Sequence, residues 1–235
     1  MSPSEEDRRR SHVDAVLDEQ VRYYRARAPE YDATSPTYDP DGRPDHPYAP
    51  IAAEAIADLR ELGPIERAIE LGAGTGQFTR IVASLARDVE AVDTSAEVLA
   101  LNAANVPAPN IRRTVADAFQ FVPDRPADVV VAAALVSHIP RERAADFWAA
   151  VDGMLRPGGR VFVFDEAPHG LWAEEAGGER DVVWRTLEDG RRFRIVKVLW
   201  EPEDLQSMLE GLGWRAAITR HDPFWWATIR RSEDA

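Results

Sequence analysis

The sequence predicts an α/β protein built on a doubly wound, mostly parallel sheet, and three observations carry that expectation. Strand-length apolar runs alternate with amphipathic helical stretches from residue 51 onward. A glycine-rich turn, ELGAGTG at 70–76, joins the first of those strands to a helix. The runs AIEL, ADVVVAAAL and RVFVF are apolar on both faces, as strands covered by helices on each side must be. Right-handed crossovers wind such units into an open sheet, whose ligands bind beyond the carboxyl ends of the strands.

The elements follow in order. Residues 1–11 read as a solvated tail, and Val13, Val16, Leu17, Val21 and Tyr24 recur at helical spacing up to Ala28. Pro29 ends that helix, because the residue before a proline is pushed out of the helical region. The stretch from Pro29 to Pro50 is too proline-dense for regular structure, and its aromatics mark it as a lid or binding loop. Helix, strand and helix then occupy 51–62, 66–71 and 77–87. A second strand lies at 89–92, a helix at 96–102, a third strand at 111–115 and a fourth at 128–133. A helix at 141–155 and a strand at 160–164 complete the parallel core. After a polar insertion, two strands about a turn at Asp189–Gly190 form an inserted β-hairpin. A helix at 202–212 and strands at 214–220 and 224–230 close the sheet as an antiparallel pair. The whole reads as a single domain: N-terminal helix and lid at 12–50, core at 51–166, insertion and hairpin at 167–200, closing elements at 201–235.

Composition excludes several chemistries. Among 235 residues there is no cysteine, which removes disulfides, thiolate nucleophiles and Cys-ligated clusters. A net charge of −13 disfavours a nucleic-acid partner. No apolar run reaches membrane-span length and the N-terminus is not signal-like, so a soluble cytoplasmic protein, monomer or homodimer, is expected. His12, His46, His169 and His221 share no ligand spacing, so no metal is expected. All five tyrosines fall in the first 48 residues, and Lys197 is the only lysine beside 27 arginines.

The glycine loop carries the chemistry. Closely spaced glycines let the backbone turn tightly and approach a ligand. Glu70 precedes the loop, Asp93 ends the second strand where a ribose diol would bind, and Asp117 ends the third near where a base would lie. The G-x-G-x-G spacing is not the G-x-G-x-x-G of a dinucleotide site, and no Gly-Lys-Ser/Thr makes a Walker A loop. A carboxylate at position 70 repels a pyrophosphate and attracts a cationic amine.

With ELGAGTG, AVD at 91–93, VADAF at 115–119 and LRPGG at 155–159, the chain resembles the class I S-adenosylmethionine (SAM)-dependent methyltransferases. The resemblance implies a seven-stranded sheet, SAM in the crevice, Asp93 on the ribose and Asp117 on the adenine amine. It further implies Ala118 and Phe119 about the base and Glu70, Gly72, Ala73 and Gly74 around the methionine half, with Thr94 and Ala134 completing the cofactor set. YYRARAPEYDAT at 23–34, SHIP at 137–140, WRTLEDGRRFRIVKV at 184–198 and the final FWWATIRR are similar to a narrower group. These are the small bacterial methyltransferases typified by the phosphonate O-methyltransferase of dehydrophos biosynthesis. That similarity implies Tyr23, Tyr24, Arg27 and Tyr31 closing over SAM, and Tyr38, Arg185 and Lys197 facing an anionic acceptor. SAM binding is expected to order residues 12–50.

Charge supports an anionic acceptor independently. Between Arg180 and Leu199 six basic residues meet three acidic ones, a local +3 in a −13 chain. A phosphonate needs such a cationic pocket. Hairpin register bears on it. A two-residue turn at Asp189–Gly190 puts Arg185 and Lys197 on opposite faces; a three-residue loop starting at Glu188 pairs Arg185 with Phe193 and puts both on one face. His138, just after the fourth strand, is the candidate catalytic residue, either as a general base for a hydroxyl or as a wall of the pocket. The expected activity is O-methyl transfer to a small anion, phosphonate first and carboxylate second. The alternatives are a neutral hydroxyl or amine acceptor from a natural-product pathway, a non-catalytic SAM-binding module and a nicotinamide reductase.

Overall fold

The computed structural model describes residues 5–34, 47–169 and 175–232, with side chains for 12–33, 47–169 and 175–232. The chain runs through α1 (Glu5–Arg27), a 3-10 turn at Ala28–Glu30, α2 (Tyr31–Thr34) and α3 (Ala49–Arg60). The core follows as β1 (Ile65–Leu71), α4 (Thr79–Leu85), β2 (Ala86–Asp93), α5 (Ala96–Asn105), β3 (Ile111–Val115), β4 (Ala127–Ala133), α6 (Ala144–Met154) and β5 (Leu155–Glu166). Then come β6 (Glu175–Ala176), β7 (Val182–Thr186), β8 (Arg192–Val196), α7 (Pro202–Gly211), β9 (Trp214–His221) and β10 (Phe224–Arg231).

Seven strands form one sheet in the order β3-β2-β1-β4-β5-β10-β9. The first five strands are parallel, while β10 runs antiparallel between β5 and β9. Strand order reverses between β1 and β4, which opens a crevice beyond their carboxyl ends. Alternate strand residues bury opposite faces. Ile69, Leu71, Val130 and Ala132 pack with Phe147, Trp148 and Val151 of α6 and with Leu205 and Leu209 of α7. Ala68, Val129 and Val131 pack with Ile56 and Leu59 of α3 and with Ile81 and Val82 of α4. Each such fully buried large side chain contributes about 1.5–3 kcal/mol. Ser95 caps α5, its Oγ accepting from the Val98 N–H at 3.1 Å.

Three boundaries differ from expectation. The helix begins at Glu5 rather than after an eleven-residue tail, since residues 5–28 contain no Pro or Gly and begin with acids that suit a helix N-terminus. Pro29 ends α1 but not the helical course, because it sits in the first turn of the 3-10 segment, where its missing N–H costs nothing. β5 starts at Leu155, which pairs with Ala127, whereas Arg160 pairs with Val129. Residues 156–159 therefore bulge out of the ladder. Residues 35–46, most of the expected lid with Tyr38, lie outside the described residues, as do 170–174 of the insertion. Among the described residues no helix is long and apolar enough to cross a membrane.

The inserted hairpin forms a separate sheet, β6-β7-β8. Arg185 lies opposite Phe193 and Gly190 has φ +85°, the register of the three-residue loop, so Arg185 and Lys197 share a face. That face meets α1: Tyr23 packs with Val183, Leu187 and Ile195. Glu19 accepts from the Arg194 N–H at 2.6 Å and from its guanidinium at 3.0 Å, while Gln20 Oε1 accepts from the Val196 N–H at 2.9 Å.

Candidate active site

The loop after β1 is shaped by its glycines and by side chains that sequence reasoning missed. Gly72 has φ +66°, and a Cβ there would meet Leu135 Cδ1 at 3.2 Å. Asn102, buried on α5, donates through Nδ2 to Thr79 Oγ1 at 2.8 Å and to the carbonyls of Gly74 at 3.2 Å and Ala73 at 3.3 Å. Its Oδ1 accepts from Arg113 Nε at 2.8 Å. The signal was present: Asn102 falls on the buried stripe of α5 with Val98 and Leu99, where a polar residue needs partners.

Glu70 points into this pocket only 2% exposed. Its Oε2 has no hydrogen-bond partner, and burial pushes the carboxyl up to about 8, only partly offset by the Thr79 hydroxyl. A buried carboxylate oxygen left unpaired costs free energy that a cationic ligand group would recover. Asp93 accepts from the Gly74 N–H through Oδ2 and from the Ser95 N–H through Oδ1, each at 3.0 Å, so it buttresses the loop as well as facing the cleft. Burial raises its pKa against the pull of those bonds. Exposed Asp117 accepts from the Phe119 N–H at 2.8 Å and turns VADAF along the cleft.

Gly72, Gly74, Asp93, Thr94, Asp117, Ala118, Phe119 and Ala134 all line one cleft together with Tyr24, Tyr31 and His138. Glu70 and Ala73 line its continuation behind the glycine loop, where Tyr31, Gly72, Gly74 and Ala134 recur. Ala134 holds φ +51°, a strained value for alanine, as the chain turns off β4. The expected role of Tyr23 needs correction. It packs under the hairpin and lies off the cleft wall, because the α1 face that carries it is the one covered by β7 and β8. Arg27 is also off the cleft wall and stacks over the ring of Tyr31, which lines it, 4.6 Å from the centroid. Asp32, also missed, ties this segment to the loop by accepting from Thr75 Oγ1 at 2.5 Å and Gln77 Nε2 at 3.0 Å.

His138 is 7% exposed and both ring nitrogens are engaged. Nδ1 lies 2.7 Å from the Val196 carbonyl and Nε2 2.7 Å from Tyr24 Oη. A carbonyl only accepts, so Nδ1 carries the hydrogen and Nε2 accepts from the phenol. Burial, then the charges of Lys197, Arg185 and Arg27, hold its pKa well below the usual histidine value. Lys197 is 6% exposed and pairs with Glu166 at 2.9 Å, its Nζ also 3.4 Å from Ser137 Oγ. Arg185, half-buried, lies near enough to act on Tyr23, Tyr24 and His138. Tyr38 lies outside the described residues.

Residues 69–163 match the family described as the methyltransferase domain. Among solved structures, the DhpI–SAH complex is 37% identical with a TM-score of 0.77, covering 93% of this chain and 98% of DhpI. The chain belongs to the class I SAM-dependent methyltransferases. A DhpI–SAM–HEP complex matches at 36% identity and the same TM-score, over 92% of this chain and 97% of that one. Among curated proteins, the protein-L-isoaspartate O-methyltransferase of Koribacter versatilis is 26% identical over 63% of this chain and 69% of its own length. The methyltransferase therefore uses SAM. The orphaned Glu70 oxygen and the glycine turn fit it, and on the resemblance Glu70 and the loop would hold the methionine half, Asp93 the ribose and Asp117 the base. When bound, SAM supplies a sulfonium methyl group open to attack by an oxygen or nitrogen. The protein's part is to align the acceptor and exclude water.

Proposed function

We propose that this methyltransferase transfers a methyl group from SAM to an oxygen of a small anionic acceptor, a phosphonate first. The observation that carries the reading is the hairpin register, which puts Arg185 and Lys197 on one face, beside the His138 ring that bonds to the Val196 carbonyl. Lys197, Arg185 and Arg27 all act on that ring, within a chain of net charge −13. Cations gathered at the cofactor's end of an acidic protein suit an acceptor that arrives ionised. The depressed His138 pKa agrees, since an imidazole that is buried, with Lys197, Arg185 and Arg27 acting on it, is a poor base. An acceptor that is already ionised needs none. The likeness to DhpI, crystallised with SAM and HEP, supports the same class.

The test is mass-spectrometric methyl transfer with SAM and matched small phosphonates, carboxylates and neutral alcohols. The expected result is one methyl gained by a phosphonate, with turnover reduced at least about tenfold in Arg185→Ala, the loss of one charge-assisted contact. SAM affinity should be unchanged in that variant. Preferential methylation of the neutral alcohol, insensitive to Arg185→Ala, would contradict the proposal.

A further inference from the structure

Two arrangements beside the cleft bear on the charge an acceptor can carry. The first is the Tyr24–His138 pair. Because the Val196 carbonyl fixes the hydrogen on Nδ1, the lone pair on Nε2 takes the Tyr24 hydrogen at 2.7 Å. Gln20 holds the same frame, its Nε2 donating to the His138 carbonyl at 3.3 Å and its Oε1 accepting from the Val196 N–H. With its one hydrogen committed, Tyr24 Oη can only accept from a ligand. The second arrangement is the Lys197–Glu166 pair, in which a carboxylate 2.9 Å away already meets the ammonium charge. Asp165 stands beside it, fully buried and accepting from the N–H groups of Ser137 and Glu166, each at 2.8 Å. The charged and titratable groups about His138 are thus Tyr24 and Arg27 from α1, Arg185 and Lys197 from the hairpin, and Asp165 and Glu166 from β5.

We infer that the site takes its acceptor as a monoanion that keeps one hydroxyl, and that Tyr24 is the specificity-determining residue that accepts this hydroxyl. The inference rests on the acceptor class proposed above and narrows it. An acid phosphonate has both features: one ionised oxygen to attack and one P–OH to donate. A carboxylate has no second hydroxyl and a dianion has lost it, so each would set acceptor lone pairs against Tyr24 Oη. In the transfer, the ionised oxygen forms the new O–C bond while the S–C bond to SAM breaks and its pair stays on sulfur. The hydroxyl proton remains on the acceptor, and His138 takes none.

The test has two readouts on the full chain. In the first, kcat/KM for methylphosphonic acid is followed across its second ionisation, located by phosphorus NMR titration of the free substrate. At saturating SAM it should fall in proportion to the monoanion fraction. Tyr24→Phe should raise KM roughly tenfold at the acid end, the loss of one hydrogen bond to an ionised ligand, and flatten the profile. SAM affinity measured by calorimetry in the same variant separates this from damage to the cofactor site. In the second readout, nitrogen NMR of the unliganded protein should show His138 neutral and hydrogenated at Nδ1. A rate that is flat or rises through the second ionisation, or a hydrogen on His138 Nε2, would overturn the inference alone. Bound SAM with no phosphonate methylated would overturn the proposed acceptor class, and this inference with it.

Discussion

Two buried glutamates on neighbouring strands have opposite surroundings. Glu70 on β1 is 2% exposed and Glu90 on β2 is 3% exposed. Glu90 accepts from Arg67 at 2.6 Å, Arg112 at 2.5 Å and Thr114 at 2.9 Å. Arg67 also binds Asp88 at 2.6 Å and Asp124 at 2.7 Å, closing a network on one face of the sheet. Glu70 projects from the other face beside the glycine loop, with Oε2 unpartnered and its pKa raised by burial to about 8. Their registers differ by one residue, Ile69 facing Glu90 and Glu70 facing Ala91, which sends the two carboxylates to opposite faces. The paired carboxylate holds β1, β2 and β3 together, whereas Glu70 leaves one oxygen without a partner beside the glycine loop.

The comparison breaks most visibly in stability. Arg67→Ala removes a buried partner of Glu90 and Asp88, which keep Arg112, Thr114 and Arg125, and should cost about 1.5–3 kcal/mol by chemical denaturation, the worth of a hydrogen bond to a charged group. Glu70→Gln should leave stability unchanged or raise it, because no partner is orphaned. In SAM binding the order reverses. Glu70→Gln should weaken affinity by about 1.5–3 kcal/mol, the worth of a hydrogen bond to a charged group, with Kd read by calorimetry.

Acid–base behaviour sharpens it further. A carboxyl whose pKa is raised on folding favours the native state while protonated. That stability is full below the unfolded value near 4.5 and is lost as pH rises through about 8. Unfolding free energy of the SAM-free protein should therefore decline across that window, by at most roughly 1.4 kcal/mol per pH unit from this group. Glu70→Gln should lack that component. The smallest effect belongs to the exposed latch: Asp32→Ala should cost at most about 1 kcal/mol of SAM affinity, through the loosened loop at Thr75.

The sheet was legible in the sequence because its strands are apolar on both faces and its loop glycines have one structural use. The acidic rim was legible too: Glu70 lies one residue inside the end of β1, Asp93 ends β2 and Asp117 follows β3, where topology alone places them. The supports were not. Asn102, Arg113 and Asp32 act through side-chain pairings such as Arg113–Asn102, 11 positions apart, and Asp32–Gln77, 45 apart, and no local pattern encodes those pairings. Tyr23 and Tyr24 illustrate the limit. Adjacent on one helix, their rings touch edge to face with centroids 4.9 Å apart and both pack against the hairpin, yet only Tyr24 reaches the cleft wall. Lys197 stood out as the sole lysine, yet its pairing with Glu166 became visible only once the fold brought the residue after β8 to the end of β5.

The most direct measurement is the proton count on SAM binding, from calorimetry near pH 7 in buffers of different ionisation enthalpy. The free protein holds Glu70 largely protonated, since its pKa is about 8. Pairing the carboxylate with the cofactor's ammonium should release close to one proton, and Glu70→Gln should release none from this site. Equal proton release and equal affinity in the two proteins would contradict the assignment of Glu70 as the open half of a cofactor contact.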